Sequence, residues 1–292
     1  MSGTTNRRGF LGISAAAIAG GLMRTGRAED AAPAKKAPWP FYAFDNGLGG
    51  VPTLEAKCKL LKDLGYDGLE YNLNPGQMPK MLEQLDKHGL KMFGIYTTPA
   101  IEDPIPTGWG DWIKLLKGRE TRIEMALGSK SLKSSDPAGD EKALALLKAI
   151  SDFCADTGPV ASIYPHTGSW TERVDDGVRL AKLAGRKNVG TNFNLVHWQW
   201  VKQARPIEKV FEEALPHLFL VTINGLKGPK AGRQQIRPLD ESDYDLKEFL
   251  ALVKKAGYTG PVGLQCWSVK EAPAEHLKRS MEAWRKLVAA LE

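Results

Sequence analysis

Two histidines, His166 and His197, each close a short β-type run, and a glutamate, Glu70, sits within another. Imidazole is suited to taking and returning a proton near neutral pH, and a carboxyl group can carry out the complementary acid step. Around them fall side-chain amides and a phenol: Asn192 and Asn194 in V-G-T-N-F-N-L-V-H-W (residues 189–198), then Asn224, Gln265 and Tyr164. Amides donate and accept at once, which suits the hydroxyls of a polyol. Lys227 follows the seventh run and could hold an anion or a carbonyl oxygen. Glu124 with Glu70 would make the carboxyl pair that glycosidic cleavage uses. Each feature has a plainer reading. A histidine at a strand end can be structural, Lys227 can be a solvated loop charge, and Glu124 can pair with Arg122, which shares its parity.

The elements that must position these groups alternate. Strand patterns cover 40–45, 66–73, 90–97, 121–127, 160–164, 189–198, 218–224 and 261–267. Helical patterns cover 54–64, 78–88, 141–157, 171–184, 207–215, 245–256 and 274–291, with Gly65 and Gly89 as stops. Residues 99–118 read as a loop with a short helix, and the basic, Gly- and Pro-bearing segment 227–237 as a loop. Eight strands alternating with helices predict a parallel α/β fold closed as a single (β/α)8 barrel from residue 40 to 292.

Strand parity then sorts the side chains. Leu69, Tyr71, Phe93, Ile95, Ile123, Met125, Ile163, Phe193, Leu195, Val221, Ile223, Leu264 and Cys266 fall on the helix-facing side. Glu70, Asn72, Tyr96, Glu124, Tyr164, Asn192, Asn194, Thr222, Asn224 and Gln265 fall inside, mostly towards the C-terminal strand ends. Barrels of this kind keep their sites at that end. Trp170, Trp198 and Trp200 lie just beyond the fifth and sixth strands and could stack on a sugar face.

The net charge of the 292 residues is +6, but Arg7, Arg8, Arg24 and Arg27 lie in an acid-free stretch of 28. Without them 36 basic residues face 34 acidic ones, which gives no case for a nucleic-acid partner. Asn6-Arg7-Arg8-Gly9-Phe10-Leu11 opens an apolar run to Met23, followed by Gly26-Arg27-Ala28. That order resembles a cleaved twin-arginine export signal over residues 1–28, with 29–39 as linker, and implies an exported, periplasmic protein. The run is short and rich in Ala and Gly, a poor membrane span. Cys58, Cys154 and Cys266 are too scattered for a disulfide framework and read as buried apolar positions; His88, His217 and His276 read as surface.

Gly68-Leu69-Glu70, Asn194-Leu195-Val196-His197, Pro238-Leu239-Asp240 running into Asp245-Leu246, and Gly257-Tyr258-Thr259-Gly260-Pro261-Val262 resemble the sugar phosphate isomerase/epimerase family of xylose-isomerase-like TIM barrels. The resemblance covers about residues 40–290. It implies a TIM barrel and proton transfer on a ketose or aldose held by one divalent metal. The positions matching that metal's ligands are Tyr164, Asn194, Thr222 and Gln265, none of them the expected ligand type. A site shifted by two residues would offer His166 and His197, better suited to Zn²⁺ than Mg²⁺.

These features lead to an exported isomerase or epimerase, with a lyase on keto-sugars as a variant. Its ligand would be a small carbohydrate. His166 or His197 would be the base and Glu70 the acid, with Asn194, Asn224, Gln265, Tyr164 and Lys227 holding substrate. A non-catalytic sugar-binding barrel that has lost its metal site is the alternative, and a glycosidase using Glu70 and Glu124 the third reading.

Overall fold

The structure is a computed structural model that describes residues 38–201, 204–228 and 233–291. The expected export signal and most of the linker lie outside these residues. Trp39, at the linker's end, is already part of the barrel wall: it is buried, and its Nε1 donates to the Tyr258 carbonyl at 2.7 Å.

Eight parallel strands close on themselves. They are β1 (Phe41–Phe44), β2 (Gly68–Asn72), β3 (Lys91–Thr97), β4 (Arg122–Met125), β5 (Val160–Ile163), β6 (Val189–Asn194), β7 (Leu218–Ile223) and, after a hairpin, β10 (Val262–Leu264). β10 pairs with both β7 and β1, which completes the ring. The fold is a single (β/α)8 TIM barrel, with helices α1 (Leu54–Leu64), α2 (Met78–His88), α4 (Asp140–Cys154), α5 (Val174–Ala184), α7 (Ile207–Ala214), α8 (Leu246–Lys255) and α9 (Pro273–Ala289) following the strands. Short α3 (Trp109–Lys114) and α6 (Leu195–Val201) lie in the connections.

Local chemistry sets the helix ends. Thr53 caps α1 by accepting from the Ala56 N–H, and Gly65 ends it at φ +91°, a conformation that costs glycine nothing. Asp245 caps α8 by accepting from the Glu248 N–H. The outward strand residues form one core with the helices. In it Trp284 of α9 stacks on Phe41 of β1 at 4.1 Å, and Phe193 of β6 packs on Phe211 and Phe249. An aromatic pair in such geometry adds roughly 0.5–1.5 kcal/mol beyond its buried area.

Four expectations need correction. β6 ends at Asn194, and residues 195–198 are helical: the Asn194 side-chain oxygen accepts the His197 backbone N–H at 3.3 Å, an N-cap that starts α6 at once. His197 therefore sits in the first turn of a helix. Phe93 faces inward, because β3 carries a bulge opposite Leu69 and Glu70 that inserts one residue and resets the parity. Segment 227–237 begins and ends in a two-stranded hairpin, β8 (Gly225–Lys227) with β9 (Gln235–Arg237). His276 is buried, with its Nε2 against the Gly47 carbonyl at 2.9 Å.

Candidate active site

The barrel interior is aromatic at its centre and polar around it. Tyr42, Phe44, Phe93, Tyr164 and Leu220 cluster inside the strands. Glu70 and Glu124 are buried beside them. Gly94 makes room for both: a Cβ there would lie 1.6 Å from Glu124 Oε1 and 3.3 Å from Glu70 Cγ. Asn192 donates to Glu124 Oε2 at 2.6 Å and accepts from Ser162 Oγ. No ion pair joins Glu124 to Arg122, whose Nη1 donates to the Glu120 carbonyl. Burial raises both carboxyls, Glu70 well above the usual range and Glu124 to about 8, which favours the protonated form of each.

Above this pair, at the C-terminal strand ends, opens a cavity of about 490 Å³. Buried Phe44, Glu70, Tyr164 and Gln265 line it, with half-buried Tyr96 and exposed Asn72. His166, Thr167 and His197 form one side, and Asn46, Trp200, Arg233, Ile236 and Trp267 the mouth. The Arg233 guanidinium lies 3.9 Å over the Trp200 ring and 5.1 Å from that of Trp267.

The two histidine rings are 4.0 Å apart, and Thr167 between them fixes their protons. His166 Nδ1 lies 2.9 Å from the Thr167 carbonyl oxygen, which only accepts, so Nδ1 carries the proton and Nε2 the lone pair. The Thr167 N–H donates to His197 Nδ1 at 3.3 Å, so that ring carries its proton on Nε2. Burial lowers the pKa of both, of His197 most strongly, where His166 and Arg233 add to it.

Of the residues singled out in the sequence, Glu70, Tyr164, His166, His197 and Gln265 meet in this cavity. Asn194 lies behind it, with its Nδ2 donating to Tyr164 Oη at 2.5 Å and its oxygen capping α6. Asn224 is buried outside the cavity wall and donates to the Gly225 carbonyl. Lys227 is exposed on β8 and does not reach the cavity. Glu124 is enclosed beneath the cavity, which separates it from Glu70 as a cleft-spanning pair. Trp200 lines the mouth, whereas Trp170 is buried with its Nε1 on the Asp136 carbonyl and Trp198 packs on Phe193. The sequence reading missed Asn46, Trp267 and Arg233. Asn46 and Trp267 each lie two residues beyond an inward strand position, a parity signal that could have found them. Arg233 had none.

The chain's matches now bear on this arrangement. A family model described as xylose isomerase-like TIM barrel matches residues 58–287. The chain belongs to the xylose isomerase-like TIM barrel family. No curated protein sequence matches it. Among solved structures, a xylose isomerase-like TIM barrel protein from Mycobacterium smegmatis in complex with magnesium is 17% identical, with 88% of this chain and 99% of that one covered and a TM-score of 0.63. The IOLI protein with a bound zinc atom is 13% identical, with 87% and 99% covered and a TM-score of 0.70. A 3-keto-D-glucoside 4-epimerase from E. coli is 16% identical, with 85% and 99% covered and a TM-score of 0.66. At these identities the likeness is one of fold.

Two of those structures hold a divalent metal, which needs donors of a particular kind. Asn194 and Gln265 both turn N–H groups towards Tyr164 Oη, and the Gln265 oxygen is taken by Asn46 and the Trp267 N–H. Thr222 Oγ1 is buried without a partner. None of these four supplies the anionic oxygen that Mg²⁺ prefers. Of the histidine pair only His166 Nε2 offers a lone pair to the cavity. Among the described residues no three His, Cys, Asp or Glu side chains gather to hold an ion. The set does not fit Mg²⁺ or Zn²⁺.

Proposed function

We propose that this xylose isomerase-like barrel is an exported enzyme that moves a proton between carbons of a sugar or keto-sugar, as an isomerase or epimerase. His166 is the base. The observation that carries the reading is its hydrogen bond to the Thr167 carbonyl, which leaves Nε2 as an unprotonated nitrogen on a cavity that also holds a protonated carboxyl, Glu70. A neutral imidazole can take a proton from a C–H next to a carbonyl, and Glu70 can give one to an oxygen or carbon. His197, protonated on Nε2, orients its neighbours through Thr167. Trp200 and Trp267 at the mouth suit the apolar face of a sugar ring. The fold likeness to a 3-keto-D-glucoside 4-epimerase agrees with this substrate class. Loss of a substituent from the same enolate would make the enzyme a lyase on keto-sugars. The test is wash-in of solvent deuterium at the carbon next to a ketose carbonyl, followed by NMR; no wash-in on any ketose would overturn the reading.

A non-catalytic sugar-binding barrel is the second reading, favoured by the donor set around Tyr164 that does not suit a cation. Binding without wash-in would establish it.

The export part of the proposal rests on Arg7 and Arg8 ahead of the apolar run. Replacing both by lysine should hold the protein in the cytoplasm, and unchanged delivery to the periplasm would overturn it.

A further inference from the structure

The Tyr164 hydroxyl has its hydrogen-bond roles fixed by its neighbours on every side but one. A phenol oxygen accepts through its lone pairs and donates one O–H. Asn194 Nδ2 donates to it at 2.5 Å and Gln265 Nε2 at 3.3 Å. Neither amide can be turned round. The Asn194 oxygen is held by the His197 backbone N–H, and the Gln265 oxygen by the Trp267 backbone N–H at 2.9 Å and by Asn46 Nδ2 at 2.8 Å. Flipping either amide would set an N–H against a backbone N–H. With both acceptor positions filled, only the O–H remains, and no acceptor among the described residues takes it. The ring is buried and set edge-on to Tyr96 and His197, at 5.1 and 5.8 Å, on the cavity wall.

We propose that the Tyr164 O–H is the oxyanion-stabilising donor of this site, taking the carbonyl oxygen of a ketose or similar α-hydroxy carbonyl compound without help from a metal. This rests on the proton-transfer reading above. In the step, the C–H bond next to the carbonyl breaks and its proton passes to His166 Nε2. The C–H electron pair becomes the C=C bond of the enolate, and the carbonyl π pair moves onto the oxygen facing Tyr164. Protonation of the same carbon from the other face by Glu70 gives the epimer, after which the Glu70 carboxylate regains a proton from solvent and His166 releases the one it took. Protonation at the former carbonyl carbon, with the hydroxyl proton of the deprotonated carbon passing to the oxyanion as that carbon becomes the new carbonyl, gives the isomer. Two N–H groups donating to the phenol oxygen polarise its O–H and make it a stronger donor. Burial keeps that O–H protonated. A preorganised donor aimed at developing charge typically contributes ~10²–10³ in rate.

The test uses the mature chain, D-fructose, D-allulose, D-tagatose, D-xylulose and dihydroxyacetone as probes, and D₂O as solvent. Binding is read from the fluorescence of the tryptophans at the cavity mouth, and proton transfer from C–D formation by NMR. Tyr164→Phe is expected to bind the ketose that the parent binds, and to exchange it ~10²–10³ times more slowly. The C=O stretch of that ketose, ¹³C-labelled, should lie at lower frequency in the parent than in the variant. Gln265→Glu supplies a second arm that keeps the phenol: its carboxylate accepts the Tyr164 O–H and draws it from the cavity, so exchange falls and the stretch moves back up. Exchange by Tyr164→Phe at the parent's rate, or an unshifted stretch, overturns the proposal and leaves the proton-transfer reading standing. Should Tyr164→Phe fail to fold, Gln265→Glu decides on the same two readouts. A parent chain that exchanges none of the five ketoses overturns the proton-transfer reading, and this proposal with it.

Discussion

His166 and His197 lie with ring centroids 4.0 Å apart and carry their protons on opposite nitrogens, because Thr167 accepts from one ring and donates to the other. Burial disfavours the charged form of both, and a proton on either raises the cost of a second. The base, His166, therefore keeps its neutral form to a lower pH than an ordinary histidine does. The acid limb of the rate against pH should lie below 6.5, read by initial rates of deuterium wash-in. A limb at or above 6.5 would mean that these rings are more open to water than the cavity geometry implies.

Glu70 and Glu124 carry the opposite dependence. Burial raises both, so the folded protein holds protons that the unfolded chain releases from about pH 4.5 upward. Their contribution to stability is full below that value and is lost as pH rises through the folded values, about 8 for Glu124. By pH 7 the loss from Glu124 is on the order of 3 kcal/mol. Glu124→Gln keeps an oxygen for Asn192 and removes the titration. Its Tm should fall less between pH 4.5 and 8 than the parent's, the histidine contributions cancelling in the comparison. Equal slopes would contradict the account.

Gly94 gives these carboxyls their space. A Cβ at this position would stand 1.6 Å from Glu124 Oε1 and 2.8 Å from its Cδ. Gly94→Ala should destabilise the fold by at least the ~1–3 kcal/mol typical of an overpacked core. Combining it with Glu124→Ala should recover part of the loss, as read by urea unfolding. No recovery would place the clash elsewhere.

Metal content follows from the amides that face Tyr164. Purified protein should hold far less than one equivalent of Mg²⁺, Mn²⁺ or Zn²⁺ by elemental analysis, and chelator treatment should leave its Tm unchanged. A full equivalent surviving purification would show that an ion can reorganise Tyr164, Asn194 and Gln265.

Much of this could be read in the sequence because a strand has a period of two. Leu69, Ile95, Ile123, Phe193 and Val221 announced an outer face, and Glu70, Tyr164 and Gln265 an inner one. The parity failed where the period was broken. The β3 bulge moved Phe93 inside, and the local hint of it was Gly94, a glycine in a strand interior. Leu-Val-His-Trp after Asn194 alternates well enough to pass for strand, yet Asn194 can cap a helix, and did. Whether an inward amide meets a ligand or another side chain is a matter of tertiary pairing, so Asn194 read as a ligand group and proved to hold Tyr164. Arg233 reaches the mouth through the hairpin, a path that depends on backbone geometry alone.

The most direct test of the central claim is deuterium wash-in on the ketose panel in the parent, His166→Ala and His197→Ala. A positioned base contributes typically ~10²–10⁴ in rate. The account expects wash-in by the parent, a loss of that size in His166→Ala with binding kept, and a smaller loss in His197→Ala. Equal wash-in by His166→Ala and the parent would contradict it.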